Sequence, residues 1–212
     1  MNNLVGGTLG VLTAFLLTPM ATFAQEVEWA GPYIGLHFAQ MSGDWDETFD
    51  DGESTGELFY DVEGRMRGAF AGLNFQNGPL LYGIEVAFSK GEVVSKSWSS
   101  PDEWETVYDV QLRNILEAKV RIGFPNGRVL PYAFIGASRI QMGYGLDGAW
   151  GSQDYSGKGM NYGAGVELRI GENGFAGIEF ILRDVSSDLD GLESWTATSK
   201  TSAIQVRGGL TF

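Results

Sequence analysis

Glu85, Glu117, Glu167 and Glu179 share one parity of alternating apolar–polar segments with Arg113, Lys119, Arg121, Arg139, Arg169, Arg183 and Arg207. Acids and bases walled in on one face have two kinds of chemistry open to them. They can neutralise one another, since an unpaired buried ion is strongly unfavourable, or they can exchange partners and let small ions through. Counted from the tight-turn end of each segment, His37, Glu85, Lys119, Arg121, Glu167, Glu179 and Arg207 stand at similar heights. That favours pairing into a salt-bridge plug, with a gated narrow pore as the alternative. The surplus of basic groups on this parity would make such a pore weakly anion-favouring.

Other chemistries find less support. His37 is the only histidine, and no Ser-x-His or His-x-Ser pair accompanies it. General acid–base work needs partners within hydrogen-bond reach, so no catalytic residue is assigned and His37 reads as a hydrogen-bonded interior residue. The absence of cysteine excludes disulfides, thiolate metal sites and a cysteine nucleophile. Asp44, Asp46, Asp50, Asp51 and Glu53 lie in an acidic stretch. Oxygen-rich runs suit Ca²⁺ or Mg²⁺, but neither Asp50-Asp51-Gly52-Glu53 nor Asp188-Leu189-Asp190-Gly191 has full EF-hand spacing. The stretch is therefore at most a weak divalent-cation loop, and no resident metal or cofactor is expected. A net charge of -13 argues against nucleic-acid binding.

The elements that must hold these groups are strands. Side chains alternate with period two over Tyr33–Gln40, Gly68–Gln76, Leu80–Ser89, Tyr108–Phe124, the segment from Tyr132 to Tyr144, the segment around Tyr162–Ile170, Gly177–Arg183 and Thr201–Phe212. On the apolar parity lie, among others, Ile34, Leu36, Phe38, Ile84, Val86, Val120, Tyr132, Phe134, Ile140, Met142, Val166 and Ile204. Phe70, Ile115, Ile135 and Ile181 fall on the polar parity, Asn114 and Ser138 on the apolar one. A bulge would account for one or two of these. Asn77-Gly78-Pro79, Pro125-Asn126-Gly127-Arg128 and Gly171-Glu172-Asn173-Gly174 have hairpin-turn chemistry. Long polar loops are expected over 43–66, 90–107, 145–159 and 185–200.

Tight turns at one end, long loops at the other and strands of spanning length are the pattern of a transmembrane barrel. A soluble barrel alternates too, with its apolar face inward. Here the polar face is crowded with Gly and Ala, as a narrow lumen requires, and carries mixed charges mid-strand. Phe75, Tyr82, Phe124, Tyr132 and Phe212 at the turn end, and Phe88, Tyr108, Tyr144 and Tyr162 toward the loop end, would form interfacial girdles. Trp45, Trp98, Trp104, Trp150 and Trp195 fall in or beside the loops, as contact surfaces or as loop packing. Residues 1–24 carry no charged side chain and end Ala21-Thr22-Phe23-Ala24, which reads as an export signal cut after Ala24. The barrel domain is then 25–212.

Trp29-Ala30-Gly31-Pro32-Tyr33-Ile34-Gly35 resembles the W-x-G-x-Y-x-G opening of the small outer-membrane β-barrel family that includes the 25- and 31-kDa surface proteins of α-proteobacteria. The closing Gly209-Leu210-Thr211-Phe212 is similar to that family's last strand. The resemblance implies an all-β, eight-stranded, up-and-down antiparallel transmembrane barrel in a Gram-negative outer membrane, with periplasmic turns and extracellular loops. It implies a structural and surface-contact role, with a narrow porin-like channel as the alternative. The implied partners are outer-membrane lipid and lipopolysaccharide, the barrel-assembly machinery through the terminal Phe212, and a host or surface ligand at the loops, with the protein acting as a monomer.

Overall fold

Alternation carries through the chain and closes it on itself. The computed structural model describes residues 28–50, 55–95, 108–146, 149–188 and 195–212, and in it the chain forms eight strands. These are β1 (Gly31–Asp50), β2 (Thr55–Asn77), β3 (Leu80–Ser95), β4 (Tyr108–Gly123), β5 (Val129–Leu146), β6 (Ala149–Ile170), β7 (Gly174–Asp188) and β8 (Trp195–Thr211). Each pairs antiparallel with its sequence neighbour, and β1 pairs with β8 from Tyr33↔Thr211 to Phe49↔Trp195, so the barrel has no free edge. In the tight turns Gly78, Gly127 and Gly171 have φ of 61°, 56° and 65°, the left-handed region that a residue with a Cβ enters only at a cost. The start of β1 and the end of β8 meet at this end of the barrel, where the Phe212 amide donates to the Pro32 carbonyl at 2.9 Å.

The exterior is a belt of aliphatic and aromatic side chains: Ile84 and Val120 are 57% and 58% exposed, and all eight strands contribute. The girdle positions Phe75, Tyr82, Phe88, Phe124, Tyr162 and Phe212 face outward with them. Tyr108 and Tyr144 lie in strands, and their side chains are outside the described set.

Two expectations need correction, and the expected bulge is found. Of the expected polar loops, 43–66, 145–159 and 185–200 are largely strand among the described residues, and β3 extends into 90–107. β1 and β2 stay paired to Asp50↔Thr55, and β5 and β6 to Leu146↔Ala149; β3 runs to Ser95, β7 to Asp188, and β8 starts at Trp195. Above the belt the outer face turns polar, while the inner face stays buried and mixes apolar side chains with Glu47, Gln111, Ser187 and Ser199. Its apolar members are Met41, Trp45, Val62, Met66, Val93, Leu112, Ile140, Met142, Val185 and Ala197, all buried in an upper core. Strands of 15 to 23 residues therefore rise well past the ~9–11 needed to span a bilayer.

The parity of β5 is the reverse of the expected one. Tyr132, Phe134, Ile140 and Met142 point inward, while Ile135 and Arg139 are exposed. Bulk was a poor guide here, because Ala133, Ile135 and Ala137 are themselves apolar enough to face lipid. In β4, a register shift between Leu112 and Asn114 turns Leu112 inward above the shift and leaves Ile115 inward below it. This is the effect of a bulge.

Candidate functional site

The enclosed middle of the barrel is where the ionisable groups meet. Arg207, delivered by β8, is the hub. Its guanidinium contacts Glu85 through both terminal nitrogens, one of them at 3.2 Å. It also reaches Glu179 Oε2 at 2.7 Å and Glu167 Oε1 at 3.2 Å, and stacks over the Phe70 ring with the guanidinium carbon 3.8 Å from the centroid. Arg121 grips Glu167 with two parallel bonds of 3.1 and 2.9 Å, a fork geometry that lysine cannot make. Lys119 donates to Glu179 at 2.6 Å and bridges to Glu117 at 3.7 Å and Glu85 at 3.9 Å. Arg183 holds Glu117 from the far side at 2.8 and 3.2 Å.

These eight side chains form one connected ionic cluster with a cation for every carboxylate, so the surplus of positive charge expected on this parity is absent from it. Each residue is at most 4% exposed. Neutral groups add hydrogen bonds to Glu85, Glu179 and Glu117. Tyr33 and Tyr132 donate their hydroxyls to Glu85 at 2.9 Å and Glu179 at 2.7 Å, and Asn161 donates to Ser138, which donates to Glu117. Satisfying the remaining lone pairs is what makes a buried ion cluster tolerable.

The remaining expected lumen residues are elsewhere. His37 is buried but makes no carboxylate contact: its Nε2 shares a 2.8 Å hydrogen bond with Ser89 Oγ, and its ring lies parallel to Phe70. This Ser89 contact is not readable from one strand: His37 and Ser89 are the register partners of Gly68 on either side of β2, and they meet over the space that this glycine leaves. His37 Nδ1 has no hydrogen-bond partner, so no acid orients the ring as a serine–histidine nucleophile requires. Arg113 is half-buried at the β4 bulge, where its Nε donates to Gln111 at 3.1 Å. Arg139 is outside, donating to Ser156 at 2.9 Å.

Arg169 closes the turn end rather than joining the cluster. It lies over the Trp29 ring at 4.2 Å, donates to the Glu28 carbonyl at 2.7 Å and contacts the Thr211 hydroxyl. Trp29 is 1% exposed and is pinned further by Asn74, which donates to its carbonyl at 3.0 Å, and by its own indole bond to the Gly127 carbonyl at 3.2 Å. The Trp29–Gly35 motif thus has a local explanation. Trp29 lids the lumen, Gly31 (φ 112°) turns the chain beside Phe212, and Tyr33 reaches the ionic cluster.

Five inward aromatics of the lower and middle lumen also obey a rule that single-strand reading misses: each stands beside a glycine on the neighbouring strand. The pairs are Tyr33↔Gly72, Phe70↔Gly35, Tyr132↔Gly165, Phe134↔Gly163 and Phe175↔Gly209. A narrow lumen has room for a ring only where its neighbour has no side chain.

The acidic stretch is divided. Asp44 is exposed and Asp46 half-buried along β1; Asp50 is in β1 with its side chain outside the described set, and Asp51 and Glu53 lie outside the described residues. Among the described residues no group of three or more His, Cys, Asp or Glu could hold a metal ion. Trp45 is a core residue, fully buried and bonded to Glu47 at 2.7 Å. Trp98 and Trp104 are outside the described residues, as are the side chains of Trp150 and Trp195. The expected export signal, 1–24, is outside them too.

Comparison with known proteins fits this architecture. A 25 kDa outer-membrane immunogenic protein of Brucella canis is 28% identical over 189 residues, spanning 88% of this chain and 80% of that one. The corresponding protein of Brucella ovis is 28% identical over 169 residues, 79% of this chain and 75% of that one. Among solved structures, the outer membrane protein OprG from Pseudomonas aeruginosa superposes with a TM-score of 0.53 at 13% identity, covering 86% of this chain and 96% of its own. The family model for the outer membrane protein beta-barrel domain matches residues 10–212, and the chain belongs to that family of Gram-negative outer-membrane proteins.

Proposed function

We propose that this barrel is a structural and surface-contact protein of the outer membrane whose lumen is sealed rather than conducting. One observation carries the reading: the ionic cluster from Glu85 to Arg207 fills the mid-lumen and is at most 4% exposed. The Trp29 lid lies below it and the upper core above it, so a solute would have to displace three layers. An enzymatic role lacks support in the lumen, where His37 has neither an orienting acid nor access. The apolar belt on every strand suits a monomer surrounded by lipid. Phe212, outward at the strand that closes the barrel, is the residue we assign to recognition by the assembly machinery, and residues 1–24 to export. The loop end, raised on strands above the belt, is the surface we assign to contact with host or surface ligands. The description of the Brucella relatives as immunogenic is in keeping with such exposure.

Planar-bilayer recording tests the seal. The folded wild-type protein is expected to add no stepwise conductance, whereas replacing Glu85, Glu167, Glu179 and Arg207 together with alanine should open measurable steps. Steady conductance from the wild type would replace this reading with the narrow porin-like channel.

A further inference from the structure

At the loop-side end of the ionic cluster, one wall of the lumen carries polar atoms that the chain itself leaves without a partner. Asn161 on β6, Arg183 on β7 and Thr201 on β8 are direct register neighbours, Asn161↔Arg183 and Arg183↔Thr201, and all three are buried on the inward face. Ser199 stands two positions further up β8 on the same face. The side chains are engaged on one side only. Arg183 gives Nε and Nη2 to Glu117 at 2.8 and 3.2 Å, which leaves Nη1 on the other edge of the guanidinium. Glu117 can only accept, so the Ser138 hydroxyl donates to it and the Asn161 amide supplies the N–H to Ser138. That leaves the Asn161 oxygen. Arg183 Nη1, Asn161 Oδ1, Thr201 Oγ1 and Ser199 Oγ have no hydrogen-bond partner in the chain, although the four residues are at most 4% exposed.

Buried polar groups in a folded interior are almost all paired, with protein or with ordered water, and a charged donor left unmet is more unfavourable than a neutral one. The set is chemically mixed. Arg183 Nη1 can only donate, Asn161 Oδ1 can only accept, and the two hydroxyls do either. A ligand bridging them must accept and donate, which a halide cannot do. Charge points the same way. A cation already stands for every carboxylate of the cluster, so an anion would add an uncompensated buried charge. The patch is also framed: Ile181 and Val185 flank Arg183 on β7, and Ala197 and Ala203 bracket the two hydroxyls on β8, all of them buried. Gly43, the β1 partner of Thr201, and Gly159, two positions from Asn161 on β6, put no side chain into the lumen here. The atoms nearest to these glycines are strand backbone, not a ring of the kind that covers Gly35 and Gly165.

We propose that Asn161, Arg183, Thr201 and Ser199 form a binding site for a short row of resident water molecules. The row runs from the Asn161 oxygen past Arg183 Nη1 to the hydroxyls of β8, each water making about three hydrogen bonds, the usual number for a buried one. The site deepens the sealed-lumen reading: the water is held between the ionic cluster and the upper core rather than passing through. Among the described residues Arg183 is bonded to one carboxylate, Glu117, whereas Arg207 meets three. Arg183 is thus the member of the cluster for which a second set of contacts matters most.

Two measurements test the site. A crystal structure of the detergent-folded full chain grown with bromide is expected to show ordered density within hydrogen-bond reach of Arg183 Nη1 and of Asn161 Oδ1 or a β8 hydroxyl, with no anomalous signal. No density there overturns the proposal, and a bromide peak overturns it by assigning the site to a halide. The second measurement is unfolding in lipid vesicles of Thr201→Val, which keeps the shape of the side chain and removes the hydroxyl. An unmet hydroxyl is better replaced by a methyl group, whereas one bonded to fixed water is missed, so the sign decides. The folding equilibrium constant is expected to fall about fivefold, as for one lost hydrogen bond. An unchanged or raised constant overturns the proposal. Should Thr201→Val fold poorly, Ser199→Ala carries the same comparison. Planar-bilayer recording of the wild type reads the seal separately, so a conducting lumen is distinguishable from an absent water site.

Discussion

Replacing Arg207 with methionine should destabilise the folded barrel by about 3–5 kcal/mol, the scale for removing one partner of a buried ion cluster. The reason is visible in the contacts. One guanidinium faces Glu85, Glu167 and Glu179 together, so its loss leaves those carboxylates to share Lys119 and Arg121, with Arg183 already committed to Glu117. The cluster is at most 4% exposed, so bulk solvent compensates little. Reversible urea unfolding in lipid vesicles, with heat-modifiable gel migration as the check on folding, measures the effect. Arg207→Met/Glu85→Met should recover a substantial part of the loss, because it removes a carboxylate along with the cation and fills the space with apolar volume. If the double variant were as unstable as the single one, charge imbalance would not be the cause.

The hub was visible in the sequence only as a parity. Arg207 alternates correctly with Ile204, Val206 and Leu210, and Glu85, Glu117, Glu167 and Glu179 do the same in their strands, so period two sufficed to gather them on one face. Which acid meets which base depends on register around a closed sheet, and that information is not local to any strand. The same limit explains β5. Its inward face is read correctly only when Tyr132 is seen opposite Gly165 and Phe134 opposite Gly163, with the Phe134 ring 4.5 Å from the Lys119 ammonium. The upper strands resemble loops in sequence for a related reason. Above the belt, one face meets water and the other a buried core, so composition averaged over both faces looks like a polar loop although the alternation of Met41, Gly43 and Trp45 persists inward.

Alternation alone is equally compatible with a soluble barrel, and a single substitution separates the two physically. Val120 points outward from the middle of the belt and is 58% exposed. On a water-facing surface, Val120→Arg would be close to neutral or would improve solubility. Facing acyl chains, an arginine near the bilayer midplane costs about 2–4 kcal/mol, falling to about 0–1 near the interface. Val120→Arg is therefore expected to lower the stability of the protein in vesicles by that larger amount. Asp184→Arg, also outward but above the apolar belt on β7, should stay within the smaller one. Both variants keep every lumen contact, so neither difference can be assigned to the ionic cluster. The contrast should disappear when the vesicle is replaced by a short-chain detergent that lets the arginine reach water. A contrast that persisted there would trace the cost to packing against neighbouring side chains rather than to the hydrocarbon around the barrel.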